Sequence, residues 1–172
     1  MYDINDTILY GANGVCRVME ITHRDFGGQM QDYYVLKPVF GDQSTIFVPV
    51  KNEALTKKMR RVMTVEEINR IIEAMPFEDT EWIENENERK EQFRGALTQG
   101  DPMGLVRIIK SLYEHQQEQQ QHGRKLRASD ERFFHDAEKM LYDEFALVLK
   151  IEPEEVLPLI IEKMQPAQEQ PA

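Results

Sequence analysis

Residues 63–75, MTVEEINRIIEAM, mark the point at which the chain changes from one kind of structure to another. Thr64 and Glu67 fit a capping box, in which a threonine and a glutamate three residues later satisfy free backbone N–H groups at a helix start. The apolar residues after the box recur at helical spacing: Ile68, Ile71, Ile72 and Met75. We therefore predict a helix that begins after Thr64 and ends before Pro76.

Upstream of this helix, short β-rich runs alternate with turn signals. The predicted strands are Thr7–Tyr10, Val15–Thr22, Tyr33–Val39 and Ser44–Val50. Gly27-Gly28 predicts a hairpin, because glycine adopts positive φ at little cost. Pro49 lacks the N–H that a sheet ladder needs, so it belongs at an edge or a strand end. Four or five short strands in about 50 residues predict a small SH3-like or Tudor-like β-barrel.

Downstream of residue 63, the strong signals are helical. Further helices are predicted from Thr80 to about Thr98, from Asp101-Pro102 onward, from Ser129 and from Pro153. Gly100 separates the first two of these helices. The fold class is therefore α+β, with a small β-barrel followed by a compact all-helical domain of about five helices.

Charge supports a domain boundary at the same place. Residues 1–61 hold eight basic and seven acidic residues, a net +1, whereas residues 62–172 hold thirteen and twenty-four, a net −11. We predict a barrel domain over residues 1–62, a helical domain over residues 63–165 and a disordered tail over residues 166–172.

Composition excludes several classes of protein. The 172 residues are 41% apolar, which suffices for a packed core, and no apolar run approaches the roughly 18 residues that span a bilayer. The start, MYDINDTILY, lacks the basic and apolar regions of a signal peptide, so a cytoplasmic location without membrane contact is expected. Cys16 is the single cysteine and has no partner for an internal disulfide or a thiolate zinc cluster.

No sequence motif predicts an enzyme. Nucleophile-elbow, P-loop and dinucleotide-binding patterns are absent. His115, Glu118 and His122 would share one helix face and suit a divalent metal, but a solvated, glutamine-rich helix end is the favoured interpretation. We expect no catalytic residue, no bound metal and no cofactor.

Trp82 and a nearby basic cluster are the candidates for nucleic-acid contact. Trp82, the only tryptophan, lies among acidic residues and is either an exposed aromatic that wedges against bases or a packing residue. The segment 107–127 carries five basic residues against two acidic ones: Arg107, Lys110, Arg124, Lys125 and Arg127 against Glu114 and Glu118. Such a cluster can follow a phosphate backbone, but with so few cations we expect weak binding to free DNA.

The order of these motifs resembles the CarD/CdnL family of bacterial transcription factors. The resemblance rests on several short motifs: Asp6-Thr7, Tyr10, Gly14, Gly27-Gly28, Tyr33-Tyr34-Val35-Leu36, Val48-Pro49-Val50, Leu97-Thr98-Gln99-Gly100-Asp101 and Ala137 to Val148. It covers roughly residues 2 to 150. The first half resembles the RNA-polymerase-interacting domain that the transcription-repair coupling factor also carries.

The resemblance implies a transcription regulator without catalytic activity. Its barrel would dock on the β-subunit lobe of RNA polymerase, and its helical domain would stabilise the open promoter complex at the upstream edge of the bubble, where a tryptophan wedges into the minor groove. We expect Arg24, Phe47 and Pro49 to contact polymerase, and Trp82, Arg89, Lys90, Arg124 and Lys125 to contact DNA.

Two departures from the family pattern affect these residues. Phe47 stands where some members have arginine, and alignment on Gly100-Asp101 places the family tryptophan at Glu86, about one helical turn beyond Trp82. An alternative is a polymerase-docked adaptor whose acidic helical domain binds another protein and does not contact DNA. The target promoters and the choice between activation and repression stay open. The choice between a monomer and a domain-swapped dimer also stays open, and a monomer is expected.

Overall fold

The computed structural model describes residues 1–41 and 44–164. The chain separates into two compact units, Met1–Val62 and a second unit that begins at Met63. We call them the sheet unit and the helical unit. The tail predicted over residues 166–172 lies outside the described residues, so its predicted disorder stays a prediction.

The sheet unit is a five-stranded antiparallel sheet. Its strands are β1 (Thr7–Tyr10), β2 (Val15–Asp25), β3 (Met30–Pro38), β4 (Ile46–Pro49) and β5 (Met59–Arg61), and a short helix, α1 (Glu53–Thr56), lies between the last two. The strand order is β4-β3-β2-β1-β5. This order places β4 and β5 at the two edges among the residues described, so closure into a Tudor-like barrel stays a prediction.

Alternating apolar side chains form the core of the sheet unit. They come from all five strands: Ile8, Tyr10, Cys16, Val18, Tyr34, Leu36, Val48 and Met59. Burial raises the pKa of the Cys16 thiol to about 11, so the group is a neutral thiol near pH 7. Cys16 therefore acts as a small apolar residue within this core.

The predicted hairpin at Gly27-Gly28 is confirmed. Both glycines have positive φ, 79° and 91°, and they join β2 to β3. The paired strands run to the turn itself, where Asp25 faces Met30. The hairpin therefore extends further than the apolar alternation predicted.

The helical unit contains five α-helices over residues 63–164, the part of it that the structure describes. They are α2 (Val65–Ala74), α3 (Glu86–Gln99), α4 (Pro102–Gln121), α5 (Ala128–Leu149) and α6 (Val156–Met164). Thr64 caps α2, with its side chain accepting a hydrogen bond from the Glu67 N–H, and Asp101 caps α4 in the same way through Gly104. The prediction of an α+β chain with a helical second half is confirmed.

Facing stripes of α4 and α5 form the core of the helical unit. The stripes comprise Leu105, Ile108 and Leu112 from α4 with Ala137, Leu141 and Phe145 from α5, all buried. One carboxylate lies within this core: Glu144 is fully buried and accepts a hydrogen bond of 2.9 Å from the Met63 backbone N–H. Glu144 thus fixes the first residue of the unit against α5.

The prediction missed strand β5 and helix α1, and it placed the start of α3 too early. Strand β5 was missed, because its three residues, MRR, are too short and too basic to show apolar alternation. The helix predicted from Thr80 begins only at Glu86, because the Asn85 side chain caps it by accepting from the Glu88 N–H. The Thr80 hydroxyl instead donates to the Glu114 carboxylate, 2.8 Å away. Trp82 is therefore not on a helix.

Candidate functional site

The segment between α2 and α3 lies along α4 and is fixed to it at several points. The Lys110 amine of α4 donates to the carbonyl oxygens of Met75, Pro76 and Glu78 at 3.1, 3.3 and 2.6 Å. The Arg107 guanidinium pairs with the Glu78 carboxylate. These contacts satisfy three carbonyls of the segment that follows α2, and they hold its backbone against α4.

Trp82 belongs to this segment, and its indole ring contacts the side chains of His115 and Arg89. The ring is half-buried and stacks on the His115 imidazole of α4, with centroids 3.7 Å apart and planes 8° from parallel. The Arg89 guanidinium carbon lies 4.6 Å from the indole centroid, a cation–π distance. The tryptophan is therefore neither fully exposed nor part of the apolar core.

Arg89, a predicted DNA contact, is buried and paired with Asp130. Its Nε and Nη2 donate to the two carboxylate oxygens of Asp130, each at 3.0 Å, and only 4% and 2% of the two side chains are exposed. Its Nη1 donates to the Ile83 carbonyl at 2.9 Å. In this arrangement all three guanidinium nitrogens donate to protein groups, and the DNA contact predicted for Arg89 stays a prediction.

Trp82 and the basic residues of the α4–α5 connection line a groove of about 430 Å³. Its lining residues are Trp82, Glu84, Arg89, His115, Gln119, Arg124, Lys125, Arg127 and Asp130, and we call it the basic groove. Arg124, Lys125 and Arg127 are exposed. Because Arg89 and Asp130 neutralise each other, the three exposed cations dominate the charge of the groove.

Two further basic residues, Lys90 and Arg127, differ in their relation to the basic groove. The predicted DNA contact Lys90 does not line it, and pairs instead with Glu86, 3.2 Å away and one turn earlier on α3. That hydrogen bond, with the charges of Lys90 and Arg127, lowers the pKa of the Glu86 carboxyl. Arg127 lines the groove and also pairs with Glu86 at 2.8 Å. The predicted contact set omitted Arg127, although the local cluster of basic residues contained it.

A second, acidic groove of about 930 Å³ lies between α3, α4 and the segment before α3. Its lining includes five carboxylates, Asp79, Glu81, Glu84, Glu88 and Asp101, and one cation, Arg107. Apolar parts of Ile83, Phe93 and Ile108 line it as well. Trp82 lines both grooves, so the segment that carries it separates an acidic surface from a basic one.

In the sheet unit, the residues predicted to bind polymerase lie on β2 and β4, on either side of β3. We call Arg24, Phe26, Tyr33, Phe47 and Pro49 the aromatic patch. Phe47 and Pro49 of β4 lie beside β3, where Pro49 faces Tyr33 in the register. The Phe26 ring contacts the Tyr33 and Phe47 rings edge-on, at centroid distances of 5.0 and 5.2 Å.

Arg24 belongs to the same patch. Its guanidinium carbon lies 5.6 Å from the Phe47 ring centroid, so the charge and the aromatic ring form one surface. Phe26, which is about half exposed, was missed by the prediction, because an isolated aromatic residue before a glycine turn carries no distinctive sequence signal. The prediction treated Arg24 and Phe47 as separate contacts, whereas the structure brings them together.

Within the described residues, neither a cluster of three potential metal ligands nor a helix able to span a bilayer is present. Over residues 1–41 and 44–164, no group of three or more His, Cys, Asp and Glu side chains is placed to hold a metal ion. His115, which the sequence analysis considered as one ligand of a metal site, stacks on Trp82. Within the same ranges, no helix combines the length and apolarity that crossing a bilayer requires.

Comparison with known protein families matches both halves of the chain. The family model described as the CarD-like/TRCF RID domain matches residues 2–63. The model described as the CarD C-terminal domain matches residues 70–161, from within α2 to within α6. The first match contains the whole aromatic patch, and the second contains both grooves.

Proposed function

Because the chain belongs to the CarD family of RNA-polymerase-interacting transcription factors, we propose that its sheet unit docks on the β-subunit lobe of RNA polymerase and that its helical unit stabilises the open promoter complex. The proposal assigns no catalytic step to the chain. It assigns polymerase contact to the aromatic patch and contact with promoter DNA, at the upstream edge of the bubble, to the basic groove.

The observation that carries the DNA assignment is the position of Trp82 beside three exposed cations in one groove. An aromatic edge inserted at a distorted base step opposes reannealing without reading the sequence. Cations on either side of the step would neutralise the neighbouring phosphates. Arg124, Lys125 and Arg127 are suited to that role, because their side chains are exposed.

The net charge of the chain explains why DNA contact would depend on polymerase. Three exposed cations neutralise few phosphates, and the whole chain carries a net charge of −10. Docking on polymerase would convert a weak bimolecular encounter into an intramolecular one at high effective concentration. We therefore expect weak, salt-sensitive binding to free DNA and functional contact only in the polymerase complex.

The aromatic patch has the composition of a protein-binding hot spot. Aromatic and arginine side chains dominate such sites, because they bury large areas in well-packed, desolvated contacts. Phe47 and Pro49 also lie on β4, an edge strand of the described sheet, which a partner strand can extend. The patch can thus combine side-chain packing with backbone pairing.

We predict that Arg24→Ala and Phe47→Ala each weaken binding to the polymerase β lobe by about tenfold or more, and that their effects are not additive. The coupling follows from the contact between the guanidinium and the ring, since removing either group disrupts the other. Affinities of the full-length single and double variants, measured by calorimetry with the isolated lobe, complete the double-mutant cycle.

Arg17→Ala is a matched control, because Arg17 is also exposed on β2 but belongs to no part of the aromatic patch. Its affinity should equal that of the wild type. Full wild-type affinity in the Arg24→Ala, Phe47→Ala double variant would show that the docking surface lies elsewhere.

A second candidate function is favoured by the acidic groove. Its carboxylates and apolar walls suit a basic, partly apolar protein segment, in which case the helical unit would act as an adaptor that does not contact DNA. The two functions assign different surfaces of the helical unit to the working complex. They can therefore be distinguished by identifying the molecule, DNA or protein, that lies beside each groove in the polymerase complex.

We predict that a photo-cross-linking amino acid at position 125 will label promoter DNA in the polymerase open complex. Lys125 is exposed and lines the basic groove, so this position reports on DNA directly. The same group at Gln92, exposed in the acidic groove, reports on a protein partner, and at Glu162, exposed on α6, it serves as a control. Protein adducts from position 92 without DNA adducts from position 125 would favour the adaptor.

A further inference from the structure

We infer that the buried Arg89–Asp130 ion pair and the His115 ring hold the Trp82 indole in a fixed orientation at the basic groove. This makes Arg89, Asp130 and His115 positioning residues for the tryptophan, an inference that rests on the proposed DNA contact. Neither sequence position nor family match assigns this role to them.

The Arg89 guanidinium contacts the tryptophan segment in two ways while Asp130 holds it. Its Nη1 donates to the carbonyl of Ile83, the residue directly after Trp82, and its plane lies within cation–π distance of the indole. The other two guanidinium nitrogens, Nε and Nη2, each donate to an oxygen of the Asp130 carboxylate at 3.0 Å. The orientation of the guanidinium is therefore set by α5, and the guanidinium in turn constrains the backbone and the ring of the segment before α3.

His115 adds a contact from a third helix. Its imidazole stacks on the indole at 3.7 Å, and the same helix fixes Thr80, two residues before Trp82, through Glu114. Side chains from α3 and α4 thus contact the tryptophan directly, and Asp130 of α5 holds the α3 side chain, Arg89. A residue outside regular secondary structure needs such contacts to keep a single orientation, because its backbone has no helical hydrogen bonds of its own.

A tryptophan that acts as a wedge would insert into the duplex more readily if its indole were held in one orientation before DNA binds. A side chain that is ordered in advance loses less conformational entropy when it inserts into the duplex. Arginine is suited to this task and lysine is not, because only the planar fork can bind a carboxylate with two donors while a third donor contacts a carbonyl. Conversion of Arg89 to lysine would keep the charge but lose the geometry.

The test uses the fluorescence of Trp82, which is the only tryptophan in the chain. In full-length Arg89→Lys and Asp130→Asn, we expect a red-shifted emission, a larger acrylamide quenching constant and a shorter open-complex lifetime than in the wild type. Arg94→Lys and Asp136→Asn are matched controls on the exposed faces of the same two helices, and they should leave all three readouts unchanged. Far-UV circular dichroism identifies the variants that are folded at the temperature used.

His115→Ala keeps the test decisive if the ion-pair variants do not fold. This variant removes the stacked ring and leaves no buried charge unpaired, so the helical unit should stay folded while Trp82 emission shifts and quenching rises. Wild-type emission and quenching in folded Arg89→Lys and His115→Ala would overturn the inference.

The readouts also separate this inference from the proposed function. If Trp82→Ala leaves open-complex lifetime unchanged, the wedge proposal fails, whereas the fluorescence still shows whether the three residues position the ring. If Trp82→Ala shortens the lifetime but a positioning variant with a loosened indole does not, positioning has no functional role and the inference fails.

Discussion

Replacing Asp130 with alanine is expected to lower the free energy of unfolding of the helical unit by about 3–5 kcal/mol. The variant leaves the Arg89 guanidinium buried without its counter-charge, and a guanidinium cannot escape the penalty by losing its proton. The Ile83 carbonyl is a neutral acceptor and cannot replace a carboxylate. Since whole domains are stable by only about 5–15 kcal/mol, the loss should be large.

Urea denaturation followed by far-UV circular dichroism measures the effect. Asp136→Ala is the control, because Asp136 is an exposed carboxylate on the same helix, and its substitution should change stability by no more than about 0.5 kcal/mol. An Asp130→Ala midpoint equal to that of Asp136→Ala would mean that water or another acceptor reaches Arg89, and that the ion pair has little structural weight.

Stability alone does not explain why an ion pair lies at this position. Well-packed apolar residues of similar volume commonly replace a buried ion pair without loss of stability. An apolar pair at positions 89 and 130 would fill the same space but could not donate to the Ile83 carbonyl or contact the indole as a cation. The arrangement is therefore better explained by orientation of Trp82 than by stability of the helical unit.

Local chemistry explains which parts of the fold the sequence predicted well. Gly100 adopts a left-handed φ of 66° at the end of α3, and Asp101 caps α4 immediately afterwards. Both features depend on neighbouring residues only, so a sequence pattern is enough to place the boundary. The same is true of Thr64 and the start of α2.

The start of α3 could not be predicted in this way. Thr80 and Asn85 are both acceptable N-caps, and the choice between them depends on the contact between Thr80 and Glu114, 34 residues away. A non-local hydrogen bond decided between two locally equivalent starts. As a result, Trp82 lies in a fixed non-helical segment that apolar spacing alone does not indicate.

The candidate site shows the same difference between residues that local sequence predicts and residues that depend on a distant partner. Trp82, Arg124 and Lys125 were predicted from residue type and local charge, and all three line the basic groove. Arg89 was predicted as a DNA contact from the resemblance to the family, but its partner Asp130 is 41 residues further along the chain. Nothing near Arg89 in the sequence indicates that partner, so its burial required the structure.

Replacing Trp82 with alanine is expected to shorten the lifetime of the open promoter complex by about 5- to 150-fold. The range corresponds to a loss of about 1–3 kcal/mol of base stacking, if the whole loss is felt in the open state. Trp82→Phe should give an intermediate lifetime, because phenylalanine keeps an aromatic face but presents a smaller ring to the base step. Lifetimes are measured by competitor challenge on a preformed complex.

Loss of folding must be separated from loss of the wedge. Trp82 is half-buried against His115 and Arg89, so its removal will also destabilise the helical unit to some extent. Lifetimes should therefore be compared at saturating protein and below the melting temperature of each variant, where the fraction folded is the same. Under those conditions, a remaining difference reports on the bound state alone.

Tyr113→Ala provides the matched control for Trp82→Ala. Tyr113 is an aromatic residue on α4 that is 54% exposed and lines neither groove, so its removal should leave the open-complex lifetime unchanged. A Trp82→Ala lifetime equal to that of the wild type at saturation would eliminate the wedge. Cross-links to protein from the acidic groove would then make the adaptor the better account, since the sheet unit would still bring the helical unit to polymerase.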